Sequence, residues 1–558
     1  MTLIKPISWP RLRLDLVNHP NQPINSDDRS MMIRSHGQWL PRRLYGVLLP
    51  ILLTVILLGW AIPAAPAAAR TDENQSVQPA PTSSIQPYLD RVVQKVTEFR
   101  LDNGLKFIVL ERHQAPVVSF ITYADVGGAN EPVGKTGVAH FLEHLAFKGT
   151  TKIGTTNYAA EKELLNKLDE LNDRIKAAEK ANRPSEVAKL KAEFAKVETE
   201  AGKYIIQNQF GQIVQQSGGV GLNATTSADA TRYFYSFPAN KLELWMSLES
   251  ERFLEPVFRE FYKEKQVILE ERRLRTDNSP IGQMVEVFLA EAFQVHPYRN
   301  PVIGYPQDLQ NLTRADVRDF FETYYTPNNM TIAIVGDVDP AEVQRLANIY
   351  FGRYPAKPNP PQVEQVEPPQ TEPREVTLRL PTQPWYLEGY HRPAINDRDN
   401  AVYDIIASIL SDGRTSRLYK SLILEKQLAL NAQGFSGFPG NKYPNLMLFY
   451  ALTAPGHTVE EVAKALHTEI ERLTNEPVSD LELERAKTKA RADLLRSLDS
   501  NSGMASLLVE YQVKTGSWQN LFKQLESFES VTAADIQRIA QATFVPENRT
   551  IGRLLPTE

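Results

Sequence analysis

Hydrophobic and polar positions alternate with several different periods along this chain, and each change of period predicts an element. Residues 97–110 alternate two by two around Asp102-Asn103-Gly104, so an Asn-Gly turn joins two strands into a hairpin. Residues 117–124 give a third strand and residues 231–237 a fourth, Thr-Arg-Tyr-Phe-Tyr-Ser-Phe. Between them the period lengthens. Leu164, Leu168, Leu171, Ile175 and Ala178 recur at helical spacing, and so do Val187, Leu190, Phe194, Val197 and Ala201. Asn182-Arg183-Pro184-Ser185 separates the two series, so residues 161–203 read as an antiparallel helical hairpin. Its charges are those of a solvated face, the alternative being a docking arm for a partner. Helices are also expected over residues 240–253 and from about 259 to about 275.

One short helical stretch is apolar except for three residues. Residues 138–147 read Val-Ala-His-Phe-Leu-Glu-His-Leu-Ala-Phe, and the exceptions are His140, Glu143 and His144. Two imidazoles one turn apart on one helical face can share a metal ion. The order His-x-x-Glu-His inverts the usual zinc-peptidase helix. Zinc takes nitrogen and oxygen ligands and keeps one position for water, whose pKa it lowers toward neutrality; Glu143 is the nearby carboxylate that would take the proton. On the helix around 259–275, Glu264 and Glu271 stand two turns apart on one face while Glu270 points elsewhere, and this helix is expected to carry the third ligand.

Composition narrows the picture. The chain has 558 residues, room for two to four domains. A net charge of −5 gives no reason to expect nucleic acid as a partner. With no cysteine present, disulfides are excluded and a zinc site must use histidine and carboxylate. Arg42-Arg43, an apolar run over 44–62 and Ala67-Ala68-Ala69 form a signal peptide, so residues 1–69 are expected to direct export or, if uncleaved, to anchor the chain in a membrane. The polar residues before Met31-Met32 make an unusually long n-region, and Met31-Met32 is an alternative start of translation. The Gln-, Ser- and Pro-rich residues 70–88 read as a disordered linker.

The second half repeats the first. Residues 312–332, LTRADVRDFFETYYTPNNMTI, align without a gap on residues 531–551, VTAADIQRIAQATFVPENRTI, at an offset of 219. Each copy is a capped helix followed by a Pro-Asn turn into a strand, and a period this long means two similar domains. The prolines at 355, 358, 360, 361, 368, 369 and 373 mark a linker. The expected organisation is therefore an N-terminal domain over 89–354, a linker over 355–373 and a homologous C-terminal domain over 374–558. The fold class is α+β, each domain a mostly antiparallel sheet packed with helices.

These residues match a family. His140, Glu143 and His144 with Phe147-Lys148-Gly149-Thr150, then Gly218-Gly219, Leu222-Asn223-Ala224, Thr226-Ser227, the Glu264–Glu271 pair, His296-Pro297-Tyr298 and Gly304 resemble the pitrilysin, insulin-degrading enzyme and mitochondrial processing peptidase family. The resemblance covers the chain from about residue 95 onward. It implies one Zn2+ held by His140, His144 and Glu271, with Glu143 as general base and Glu264 steadying the site. It implies that Leu222, Asn223 and Ala224 lie on an edge strand that pairs with the substrate backbone. It also implies two similar domains facing each other around a chamber, with the second lacking the metal. The interval from 144 to 271 is longer than the family usually shows, and the helical hairpin accounts for most of the excess.

A second departure bears on catalysis. Active single-chain members and homodimers carry an Arg, and a Tyr seven residues later, that help hold the substrate carbonyl. Ile423 and Leu430 occupy those places here, and neither donates a hydrogen bond. The chain therefore resembles the zinc-bearing subunit of a heterodimer whose zinc-less partner supplies the Arg-Tyr pair; the alternative is that Arg414, Arg417 or Lys426 serves within this chain. The function expected is hydrolysis of peptides or unfolded segments in an extracytoplasmic, periplasm-like compartment. The alternatives are a non-catalytic scaffold of the same fold and a different hydrolase on the same metal centre.

Overall fold

A computed structural model describes residues 86–557. The expected signal or anchor segment lies outside these residues, as does most of the linker expected over 70–88. The end of that linker is helical instead. Helix α1 (Gln86–Gln94) already includes residues 86–88, because Leu89 and Val92, three apart on one face, are buried against the first sheet.

Strands β1 (Val96–Arg100) and β2 (Lys106–Glu111) form the expected hairpin, with Phe99 stacked on Phe107. After β3 (Val117–Ala124) a loop leads to α2 (Val138–Leu145). Helices α3 (Tyr158–Lys180) and α4 (Pro184–Gly202) form the hairpin, which turns at Asn182 with φ +52°. Its seam buries Leu165, Leu168, Leu171, Ile175 and Ala178 against Leu190, Val197 and Ala201. Leu164, expected in that seam, is only partly buried. The chain returns through α5 (Gln209–Gln216) to β4 (Val220–Thr226) and β5 (Thr231–Pro238). Helices α6 (Leu242–Leu254), α7 (Phe261–Arg272) and α8 (Pro280–Ala292) follow, then α9 (Pro306–Asn311) and α10 (Arg314–Tyr324). The half ends with β6 (Met330–Gly336) and α11 (Pro340–Tyr350).

The second half holds β7 (Arg374–Arg379), β8 (Trp385–Arg392), α12 (Asn400–Ser411), β9 (Ala429–Phe438) and β10 (Asn445–Thr453). Helices α13 (Val459–Asn475), α14 (Asp480–Asp499), α15 (Asn501–Thr515), α16 (Asn520–Ser530) and α17 (Ala533–Thr543) precede the last strand, β11 (Arg549–Leu555).

The two sheets share one topology. The first runs β1-β2-β6-β3-β5-β4 and the second β7-β11-β8-β10-β9, the same order without an equivalent of β1. In each, the strand that ends the repeated segment lies inside the sheet: β6 lies parallel to β2 and antiparallel to β3, and β11 lies parallel to β7 and antiparallel to β8. The caps repeat as well. Thr313 and Asp316 close a reciprocal capping box at α10, and Thr532 and Asp535 do so at α17. The molecule is thus a mixed fold of two similar domains.

The halves exchange helices. Met284 and Phe288 of α8, in the first half, pack on Leu387, Leu446 and Leu554 of the second sheet. Met504, Leu508 and Val509 of α15, in the second half, pack with Leu521 and Phe522 of α16 on Ile108, Ile121 and Val335 of the first sheet. Both exchanged helices start the same way: Ser279 accepts from the amide of Gly282, and Ser500 from that of Gly503. The Pro-rich stretch between the halves is extended and pinned, since Glu367 accepts hydrogen bonds from the amides of Gln294, Val295 and His296 at 2.8, 2.9 and 2.9 Å.

Candidate metal centre and active site

Helix α2 is set by its entry. Gly137 has φ +87°, and a Cβ there would meet the Ile303 carbonyl oxygen at 2.8 Å, so glycine is required. The orphan amides of the first turn are met by Glu131, which accepts from Gly137 N at 2.8 Å and Ala139 N at 2.9 Å. Burial pushes the Glu131 pKa up to about 8 against the pull of those two donors. One turn on, His140 and His144 present rings 4.8 Å apart and nearly perpendicular.

Helix α7 crosses α2 and faces it with Glu264 and Glu271, whereas Glu270 is exposed and pairs with Arg273. Glu271 lies 3.8 Å from His140 Nε2 and 3.4 Å from His144 Nε2. One ligand atom from each of His140, His144 and Glu271 falls within 4.8 Å of the others. Glu264 takes His144 from behind, Oε1 to Nδ1 at 2.9 Å, and so turns Nε2 toward Glu271. Lys148, four residues after His144, pairs with Glu264 in turn, and Arg275, four after Glu271, pairs with Glu271 at 2.7 Å.

The electrostatics follow from burial and these pairs. Burial, with the neighbouring His144, holds His140 down at about 4, so its imidazole is neutral. Burial opposes the charge on His144 too, but hydrogen bonds to Glu264 and Glu271 raise it to about 9. Glu271 is drawn down to about 2, burial being outweighed by its bond to His144 and the nearby charge of Arg275. Glu264 lies below its ordinary value for the same kind of reason, with His144 and Lys148 outweighing burial. Two imidazole nitrogens and a carboxylate oxygen, gathered with two anionic glutamates, form a donor set suited to Zn2+. Glu143 sits beside it, raised by burial and partly offset by a hydrogen bond from Thr226, whose Oγ1 donates to Glu143 Oε2 at 2.6 Å.

Leu222, Asn223 and Ala224 lie on β4, the free edge of the first sheet. Asn223 is exposed and Ala224 buried, and the strand bulges between Val220 and Asn223 at Gly221, φ +68°. In the second half, Ile423 packs on the domain core, and Leu430 is 56% exposed on β9, the edge of its sheet. Arg417 is committed to Glu482 through two hydrogen bonds of 2.9 and 2.7 Å, while Arg414 and Lys426 are exposed. Sequence reasoning did not assign Thr226, Lys148, Arg275 or Glu131. Lys148 and Arg275 were within reach, each one helical turn beyond a named ligand.

A duplicated fold of this kind, with His-x-x-Glu-His on one helix and a glutamate pair on the helix that crosses it, defines the inverted zinc-peptidase class. Two family models match the chain: Insulinase (Peptidase family M16) over residues 106–181 and Peptidase M16 inactive domain over residues 311–490. A zinc protease of Helicobacter pylori, PqqE, is 30% identical over 82% of this chain and 92% of its own length. The probable mitochondrial-processing peptidase subunit beta of Schizosaccharomyces pombe is 23% identical over 82% of this chain and 90% of its own. The crystal structure of a protease from Helicobacter pylori superposes with a TM-score of 0.70 at 28% identity, covering 83% of this chain and all of that one. The periplasmic protease PqqL of Escherichia coli shares the fold at a TM-score of 0.62 and 18% identity, this chain covering 48% of its length. The chain belongs to the M16 family of peptidases.

Proposed function

We propose that this chain is a zinc endopeptidase that hydrolyses peptides or unfolded segments, with His140, His144 and Glu271 holding one Zn2+ and Glu143 acting as general base. The observation that carries this reading is the convergence of those three ligand atoms beside Glu143, with Glu264 fixing the His144 tautomer. When bound, zinc would supply Lewis-acid chemistry, acidifying a water and polarising a carbonyl. The chain's own groups do the rest. With Oε2 engaged by Thr226, Glu143 Oε1 takes a proton from the attacking water and returns it to the leaving amine. A substrate strand adds to the edge of β4, so that main chain is read more than side chain.

The domain division, with zinc on the half over 89–354 and an inactive half over 374–558, is part of this proposal. So is a related, zinc-less partner subunit. Ile423 and Leu430 offer no donor to a developing oxyanion, Arg417 is held by Glu482, and one relative is named as a subunit. Export to an extracytoplasmic compartment is proposed from residues 1–69. Among the described residues no helix is long and apolar enough to cross a membrane.

Metal analysis and peptide cleavage by the purified chain, alone and with such a partner, test this. About one zinc per chain is expected, with cleavage in the mixture. Glu143→Gln should keep the zinc and lose activity by about 100-fold or more. Absence of stoichiometric zinc, or full activity in Glu143→Gln, would overturn the reading. Strong activity from the chain alone would remove the partner from it.

A further inference from the structure

The two sheets can be aligned residue by residue through their pairing, and the alignment reaches the active site. Met330 of β6 and Arg549 of β11 are equivalent by the repeat offset of 219. Met330 pairs with Ala124, Ala124 with Thr231, and Thr231 with Thr226. Arg549 pairs with Tyr390, Tyr390 with Met447, and Met447 with Ser436. Thr226 and Ser436 therefore hold the same place on the two edge strands.

Both donate a hydroxyl to a carboxylate on equivalent helices, α2 being the helix after β3 and α12 the helix after β8. Thr226 Oγ1 reaches Glu143 Oε2 of α2 at 2.6 Å, and Ser436 Oγ reaches Asp404 Oδ1 of α12 at 2.7 Å. Asp404 is thus the counterpart of Glu143. Ala401 and Ile405 stand where His140 and His144 stand, three before and one after the carboxylate. In the second half the guanidinium of Arg392, on β8, donates to Ser436 Oγ and to Asn400 Oδ1. The two carboxylates also differ in their remaining partners. Asp404 also accepts from Asn400 and Gln524, both at 3.1 Å. Among the described residues, Glu143 has Thr226 as its one side-chain hydrogen-bond partner.

We propose that Thr226 is the positioning residue for Glu143: its hydroxyl fixes the carboxylate on the edge strand itself, so the base is held by the same strand that would receive the substrate. This rests on the reading of Glu143 as general base. The second half retains the hydroxyl–carboxylate pair without metal ligands, so the pair belongs to the fold, and only in the first half has it been left as the sole hold on a reacting group.

Thr226→Val removes the hydroxyl at constant shape. The expected result is a fall in kcat of about 10- to 100-fold with KM nearly unchanged and zinc content intact. Thr226→Ser should restore most of the loss, and Ser436→Ala should leave kcat at the wild-type value. Wild-type kcat in Thr226→Val, or a loss that Thr226→Ser does not repair, would overturn the proposal. A crystal structure of zinc-free Thr226→Val gives a readout independent of turnover. The Glu143 carboxylate should leave its position beside β4, and an unmoved carboxylate would overturn the proposal. That structure decides the matter even if Glu143→Gln shows that another group is the base.

Discussion

Glu264 touches neither of the other two candidate ligands, yet His144 depends on it. Its carboxylate holds Nδ1 at 2.9 Å and is itself steadied by Lys148. Removing such a support commonly costs 10- to 100-fold in metal affinity. Glu264→Ala is therefore expected to weaken zinc binding by about that factor in a chelator competition, and unchanged affinity would refute the role given to it. Lys265, the next residue, faces away from the site and is buried, its Nζ donating to the carbonyls of Gln310 at 3.0 Å and Leu312 at 2.6 Å. Burial holds its pKa down at about 8, below the lysine value of 10.5. The folded state then binds fewer protons than the unfolded one between those values, so the cost of keeping the charge is full below pH 8 and fades as pH rises. The stability of wild type relative to Lys265→Met should increase from about pH 8 to about pH 10.5 in denaturant titrations; parallel curves would contradict it. The core of the site was legible in the sequence because His140, Glu143 and His144 meet within one turn of one helix. Thr226 and Glu143 are 83 positions apart, and no local periodicity reports a contact of that kind.

The helical hairpin was equally legible, since two apolar series and a turn define it without reference to the rest of the chain. Its attachment was not. Arg259 and Glu161 form an ion pair with both side chains fully buried, and the same guanidinium donates to the carbonyls of Lys148, Thr150 and Ile153. The root of α3, the loop after α2 and the entry to α7 are thereby tied at one point. Higher up, Asp169 of α3 accepts from Arg314 and from Tyr262 of α7. The hairpin is thus braced against the helix that carries Glu264 and Glu271. Breaking a buried pair from one side leaves an uncompensated charge, so Glu161→Ala should destabilise the protein by about 3–5 kcal/mol in thermal or denaturant unfolding. A change under about 1 kcal/mol would mean that the backbone carbonyls alone satisfy Arg259. The start of α1 escaped the sequence reading for the opposite reason: a polar, proline-rich composition precedes the core-facing residues Leu89 and Val92.

At the scale of the molecule, the duplication was visible in the capped helix and Pro-Asn turn of each half, whereas the exchange of α8 and α15 was not. Those helices read as ordinary amphipathic segments, and which sheet they cover is a long-range choice. Each sheet has one face covered by the other half's helix, so neither half holds a complete core alone. A single proteolytic cut within residues 361–366, all outside strands and helices, should leave the two pieces together on gel filtration, and separation of the pieces would contradict the exchanged packing. The same exchange dictates the order in which the chain can acquire its structure. Residues 498–525, which close one face of the first sheet, are made only after every strand of that sheet. Helix α2 lies in a half that must wait for them, held open or held by chaperones, until they have been made. At high concentration the waiting surface of one molecule can accept α15 and α16 of another, so refolding from denaturant should yield intertwined dimers in proportion to protein concentration.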